Sequence, residues 1–524
     1  MQSLVVVVSV FLTLLLKTRG ELRTDAEYFK QLAKEELEAA LRIEWNLNTA
    51  KNVILFIGDG MGPNTVTATR IMKGGESHRL VYEKFPHVGL LKTYSANKMV
   101  PDSASTATAL FCGVKTNHRN IGVDASVKSG DCSASLKDTA RLQSLAALAL
   151  KAGKSAGFAT TMRVTHGTPG PIYAHSASRS WECEADMPNG TEHCKDIARQ
   201  LVEDWPGKDL HVILGGGRQV LVSHSNGTEK DPVSEWSCYR KDGRNLINEY
   251  KMDKEKRGLK HSVVFNNKEL SELDVDKTDY LFGIFSNAHL QYEFERDKSP
   301  SGMPSVSEMT EAAIKVLRKN PKGYFLMVEG GNIDMAHHRG RAKTAVSEAA
   351  ALEAAVQLAV AMTDKRDTLI VVTSDHTHSL SINGYPERGS NIFGTLGPSP
   401  FDRINYTTLS YGTGGPGSFQ YKVDDQNHIV RHNPTAEETD DYMYEQIAGV
   451  PLEENYHGGG DVVVYARGPY AHLFHSVHEQ NYVFHAIAHA AQLTPSNGSG
   501  NLHQSVMSIV TFLVSIMTTI IYLS

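Results

Sequence analysis

The amino-acid sequence predicts an α/β protein, a doubly wound and mostly parallel sheet flanked by helices, on three observations. Three continuous apolar runs, Asn52-Val-Ile-Leu-Phe-Ile-Gly-Asp59, Tyr324-Phe-Leu-Met-Val-Glu329 and Thr368-Leu-Ile-Val-Val-Thr-Ser-Asp375, each stop at an acid. Runs of this kind read as strands buried on both faces, as in parallel sheets. Strand-like and helix-like segments alternate along most of the chain, the pattern of a sheet with helices wound on both sides. That rhythm fails over residues 383–450, where Gly, Pro, Asn and Tyr crowd together and an irregular insertion is expected to project from the sheet.

Taken in order, residues 24–41 carry a cap and strong helix formers and predict an exposed amphipathic helix able to pack on a partner subunit. After the first strand come a strand over 88–94, a helix from about Ser103, a helix over 142–152 and strands over 155–161 and 212–214. Residues 223–253 are glycine-rich and polar and read as a surface excursion. A helix over 305–319 precedes the second acid-bearing strand, an alanine-rich helix spans 342–362, and 461–465 returns as a strand.

At 524 residues the chain can bury a large core. A formal charge of −6 with a pI near 6.4 provides no basic footprint for nucleic acid. The apolar block at 4–16, followed by Lys17-Thr-Arg-Gly20, resembles a secretory signal peptide over 1–20, although no basic residue precedes it. At the other end, small residues at 496–500, a short polar spacer and an uncharged apolar tail over 506–523 have the order of a glycosylphosphatidylinositol attachment signal over 496–524. The competing reading is a spanning helix, but no basic residue follows the tail as a cytoplasmic stop. The attachment residue is one of Ser496, Asn497, Gly498, Ser499 and Gly500, leaving 21–495 as the catalytic domain.

The secretory route fits glycosylation triplets at Asn189, Asn226, Asn405 and Asn497. It also permits disulfides among Cys132, Cys183, Cys194 and Cys238, with Cys112, in an apolar context, as the odd buried thiol.

The three acids stand at strand ends, where α/β sheets bind ligands, and histidines accompany them. A lone carboxylate there is often only a helix cap, and a lone histidine is more often structural than a ligand. Asp334 and His338 are four apart, on one helical face, while Asp375-His376-Thr-His378 and His457 in a glycine turn offer further ligands. Oxygen and imidazole donors without thiolate favour zinc with magnesium nearby. Asp102-Ser103 before an alanine run reads as a capped helix start, and the same geometry places the Ser103 hydroxyl in a field that stabilises an alkoxide and an incoming phosphate.

Asp59-Gly-Met-Gly62, Pro101-Asp-Ser-Ala104, Thr165-His-Gly-Thr168, Tyr173-Ala-His-Ser-Ala-Ser-Arg179, Val328-Glu-Gly-Gly-Asn-Ile-Asp334 with His338, Ser374-Asp-His-Thr-His378 and His457-Gly-Gly459 together resemble the motif set of animal alkaline phosphatases, in order from Asn52 to Gly468. The resemblance implies a secreted, lipid-anchored homodimer on the outer cell membrane that hydrolyses small phosphomonoesters at alkaline pH through a phosphoserine. It implies two zinc ions and one magnesium per subunit. Carried over by position, Asp334, His338 and His457 would hold the first zinc and Asp375, His376 and Asp59 the second, with Asp59, Thr168 and Glu329 on magnesium. Ser103 would be the nucleophile, Arg179 the phosphate clamp, His166 a neighbour of the magnesium shell and His378 another residue near the site.

Three departures stand beside it. Met335 replaces a histidine usual in animal enzymes, Thr168 replaces a common serine but keeps the hydroxyl, and the segments at Phe285-Ser286 and Ser299 to Gly302 lack the acids of the family's calcium site. Calcium is therefore not assigned. Rival readings are a phosphodiesterase or sulfatase of the same superfamily, or a catalytically silent surface receptor. Ser103 lacks the Cys/Ser-x-Pro-x-Arg context of a sulfatase, and the complete ligand set argues against a silent receptor.

Overall fold

A computed structural model describes residues 25–493, so the signal segment at 1–20 and the attachment candidates Ser496 to Gly500 lie outside the described residues. Ten strands form one sheet: β1 (Asn52–Gly58), β2 (His87–Lys92), β3 (Ser155–Arg163), β4 (Val212–Gly216), β5 (His261–Val264), β6 (Tyr280–Ile284), β7 (Tyr324–Gly330), β8 (Thr368–Ser374), β9 (Val462–Arg467) and β10 (Ser476–Glu479). Their order is β10-β2-β9-β8-β1-β7-β3-β4-β6-β5. The run from β8 to β5 is parallel throughout, and only β9 is antiparallel to its neighbours.

Alternation along β1 builds a core on each side, as double winding demands. Val53, Leu55 and Ile57 join one buried cluster with the helices Ser103–Cys112, Leu145–Lys151, Ile197–Glu203, Leu246–Lys256 and Tyr482–Ala490. Ile54 and Phe56 join the opposite cluster, with Pro63–Gly74, Val306–Leu317 and Ala342–Met362. Because both faces are covered, the central strands are apolar without a break.

The region 223–253, read as a surface excursion, carries in its second half the start of the Leu246–Lys256 helix, capped by Asn245, whose Leu246, Ile247 and Tyr250 are buried. Strands β5, β6 and β10 and the Pro63–Gly74 helix were also absent from the sequence reading. Residues 383–450 are irregular in large part but pair locally, Thr395–Leu396 with Tyr406–Thr407 and Tyr421–Val423 with Ile429–Arg431. A third sheet there joins Leu380–Ile382, Leu409–Gly414 and Ala448–Pro451. Leu380, Ile392, Phe393, Leu409 and Tyr411 seat this region against Ala68, Ala342 and Val346.

Cys132 pairs with Cys194 and Cys183 with Cys238, and Cys112 is free and buried. Asn189 and Asn226 are exposed and Asn405 is half-buried.

Candidate active site

β7 and β8 flank β1 in register: Ile57 faces Glu329, and Gly58 faces Gly330 and Ser374. The register therefore brings Asp59 level with Asp375 at the carboxyl edge, with Glu329 on the adjoining strand opposite Ile57. Gly60, at φ 67°, turns the chain sharply after Asp59, and its amide donates to Asp375 Oδ1 at 3.0 Å. A Cβ there would meet the His378 ring, so glycine is required both by the turn and by the close approach.

The short helix Asn332–His338 follows β7 and brings Asp334 Oδ2 within 3.2 Å of His338 Nε2. Three imidazoles are tied from behind to carbonyl groups, which can only accept. His338 Nδ1 donates to the Asn455 carbonyl at 2.8 Å, His378 Nδ1 to Asn455 Oδ1 at 2.7 Å and His457 Nδ1 to the Pro101 carbonyl at 2.9 Å. With Nδ1 turned outward in each ring, each Nε2 faces the cluster, the orientation a metal-binding histidine needs. The His457 and His338 Nε2 atoms stand 3.1 Å apart, and His378 Nε2 lies 2.5 Å from Asp334 Oδ1. The Nε2 atoms of His338, His378 and His457 thus gather around the Asp334 carboxylate.

Three overlapping groups each have potential ligand atoms within 4.8 Å of one another: Asp334, His376, His378 and His457; Asp59, Asp375 and His376; and Asp59, His166 and Glu329. Buried Asp59 Oδ1 and Glu329 Oε1 have no hydrogen-bond partner, an expense that a cation between them would remove. The Thr168 hydroxyl reaches Asp59 Oδ2 at 3.5 Å, and the Thr160 hydroxyl donates to Glu329 Oε2. The donor set fits divalent cations: hard oxygen and imidazole ligands, no thiolate, and an excess of buried negative charge.

The electrostatics record that excess. Burial, then the neighbouring Asp375, Asp334 and Glu329 carboxylates, push the Asp59 carboxyl well above its usual range. Burial lifts Glu329 to about 7. Burial would also raise Asp334, but the His338 and His378 imidazoles hold it well below the ordinary value. His338, lowered by burial, is carried up to about 9 by Asp334, whereas burial takes His376 down to about 3.

Ser103 is 1% exposed, at the first position of the Ser103–Cys112 helix. Its Oγ lies 3.2 Å from His376 Nε2. Asp102 caps that helix and accepts Arg179 Nη1 on Oδ2 at 3.1 Å, while Arg179 Nη2 meets His166 Nε2 at 3.0 Å. Burial opposes charge on Asp102, yet Arg179 keeps its carboxyl far below the usual range.

All the residues singled out by sequence as metal or catalytic candidates are thus gathered at this one edge. Met335 lies half-buried on the same short helix. Beside Phe285 and Ser286, Arg218 donates to Asp231 Oδ2 at 2.7 Å and to the Ile284 carbonyl at 3.2 Å, and Asp297, two residues before Ser299, pairs with Lys230. Several contributors were missed: Asn455 behind two imidazoles, Thr160 on Glu329, Gln480 on the Asp375 carbonyl, and His337, which bridges Thr65 and the Tyr411 hydroxyl. Asp102 was legible in the sequence as a cap, but its hold on Arg179 was not.

Fold and site together define the class, a metal-dependent α/β hydrolase. The alkaline phosphatase family model matches residues 50–493. The tissue-nonspecific alkaline phosphatase of Gallus gallus is 45% identical over 488 residues, 91% of each chain, and that of Homo sapiens is 43% identical over 503 residues, 92% of this chain and 93% of that one. The chain belongs to the alkaline phosphatase family and is a phosphomonoester hydrolase. Solved bacterial alkaline phosphatases share the fold. The enzyme of the Antarctic bacterium TAB5 superposes with a TM-score of 0.56 at 23% identity, covering 86% of this chain and all 100% of that one. The Thermus thermophilus enzyme gives 0.58 at 22% identity, covering 88% and 95%.

Proposed function

We propose that the protein hydrolyses phosphate monoesters at alkaline pH by way of a phosphoserine at Ser103, with two zinc ions and one magnesium per subunit. The observation that carries this reading is the Ser103 hydroxyl, buried at a helix N-terminus and 3.2 Å from an imidazole of the carboxylate–histidine cluster. Asp334, His338 and His457 would hold one zinc, Asp375, His376 and Asp59 the other, and Asp59, Thr168 and Glu329 the magnesium. The ions would lower the pKa of the hydroxyl and of water and would neutralise charge in the transition state.

The chain's own residues orient and transfer. Arg179, steadied by Asp102 and His166, aligns two phosphate oxygens. Ser103 Oγ forms the bond to phosphorus as the ester oxygen leaves to become the alcohol. Water then cleaves the serine ester, releasing inorganic phosphate and restoring the hydroxyl. Met335 presents no hydrogen-bond donor toward this site, where animal enzymes usually carry histidine. Turnover compared on a phosphomonoester, a phosphodiester and a sulfate ester tests the reading. The monoester should dominate, and a dominant diester or sulfate activity would overturn it.

The same reading extends to the ends of the chain: a signal peptide over 1–20, a catalytic domain over 21–495, and a signal over 496–524 replaced by a lipid at one of the small residues. The protein would be a glycosylated homodimer on the outer cell surface. Dimerisation is supported by the Ala26–Leu41 helix, which has no buried residue and leaves Leu37 and Leu41 60% and 78% exposed. A phosphatidylinositol-specific phospholipase applied to intact cells should release the activity into the medium, with no peptide from residue 506 onward. Activity that stays on the membrane together with that peptide would show a spanning anchor instead.

A further inference from the structure

Arg119 has a backbone that L-residues avoid, with φ at 70°. Glycine would adopt it without strain, so an arginine there calls for a use of its side chain. Its backbone explains why the conformation is held: the Arg119 amide donates to Asp102 Oδ1 at 2.9 Å, and its carbonyl accepts the Arg179 amide at 2.8 Å. Asp102 thus binds the Arg119 backbone with one oxygen and the Arg179 guanidinium with the other. The side chain is exposed, its Nη2 donates to the Ser180 hydroxyl beside Arg179, and among the described residues no carboxylate side chain closes on it. His118 adjoins it, with an amide fixed to Asn97 Oδ1 at 2.8 Å, and Lys98 lies near that imidazole. A second guanidinium, which the Asp102–Arg179 pair does not engage, therefore stands beside the phosphate clamp. Arginine keeps its charge at alkaline pH, where histidine has lost its own.

We propose that Arg119 is a specificity-determining residue, which favours phosphomonoesters carrying a second anionic oxyacid group close to the ester. This rests on the phosphomonoesterase reading. Arg179 takes the phosphate that transfers to Ser103, and the Arg119 fork takes the second anion in the leaving group.

The test compares kcat/KM for phosphoglycolate against phosphoglycolamide, which differ chiefly in charge, and for propanediol bisphosphate against propanediol monophosphate. In the native enzyme the more anionic member of a pair should be preferred, and added salt should narrow the preference. Arg119→Gly preserves the strained backbone and its two hydrogen bonds, so the ratio within a pair isolates the guanidinium. It should fall about tenfold, through KM, and Arg119→Lys should recover part of it. A fall confined to the first pair assigns carboxylates and a fall confined to the second assigns phosphates; either supports the proposal. Ratios unchanged in both pairs would overturn it while leaving the phosphomonoesterase reading intact. Failure of the native enzyme to cleave any of the four would remove both.

Discussion

Replacing Ser103 with alanine is expected to lower turnover by roughly three orders of magnitude or more while leaving the protein folded. The folding half of this expectation comes from the helix. Alanine is at ease at the first helical position, and the cap belongs to Asp102, which retains its bonds to Ser105 and Arg179. The catalytic half comes from position. Ser103 Oγ is buried, lies 3.2 Å from His376 Nε2 and opens the helix whose N-terminal field favours developing negative charge. The neighbouring Thr106 hydroxyl is already engaged, donating to backbone carbonyls and to Asp375. Quenching the native enzyme with substrate in acid should leave phosphate on Ser103. Arg179→Ala should raise KM and weaken inhibition by inorganic phosphate, and its effect on the serine step should be smaller than loss of the nucleophile. A phosphate label recovered reproducibly on another residue, or a Ser103→Ala enzyme of near-native activity, would sink the assignment.

The parts of this site that could be read from sequence are those in which one local rule sufficed. β7 and β8 and the Ala342–Met362 helix were legible because burial on both faces writes a continuous apolar run, and because alanine favours helix wherever it sits. An acid at the end of such a run is visible for the same reason. β5 gave no signal: it forms the sheet edge, and only Val264 of its four residues is buried. The Pro63–Gly74 helix begins at a proline and is rich in threonine, a weak helix former, so its sequence carries little helical signal of its own. Asn455 illustrates what no local rule reaches. It orients His338 and His378 from 117 and 77 residues away, and nothing about an isolated asparagine in Glu-Asn-Tyr announces this. The same holds for Arg179 on Asp102, 77 residues apart. The family motifs contain both residues, but nothing in them tells that this carboxylate aims the arginine.

Stripping divalent cations is expected to abolish turnover, and zinc with magnesium to restore it, but the more searching result is a change in protons and stability. In the metal-free protein Asp59, Glu329 and Asp375 are fully buried, and burial with mutual repulsion raises all three carboxyl groups, Glu329 to about 7. Metals bind carboxylates, so loading at neutral pH must expel protons, and affinity must climb with pH through that region. The sign for stability follows from the same shifts. Above the ordinary carboxyl range the unfolded chain has lost protons that the folded metal-free site still holds, so the folded state is destabilised as pH rises toward and through about 7. Cations that replace those protons should reverse the trend, giving a metal-induced rise in melting temperature that is larger at pH 8 than at pH 6. Calorimetry in two buffers of different ionisation enthalpy reads the proton release directly, and thermal melts with and without metal read the stability. Full activity after verified removal of zinc and magnesium, or metal binding without proton release, would show that the carboxylates at the ends of β1, β7 and β8 serve some other purpose.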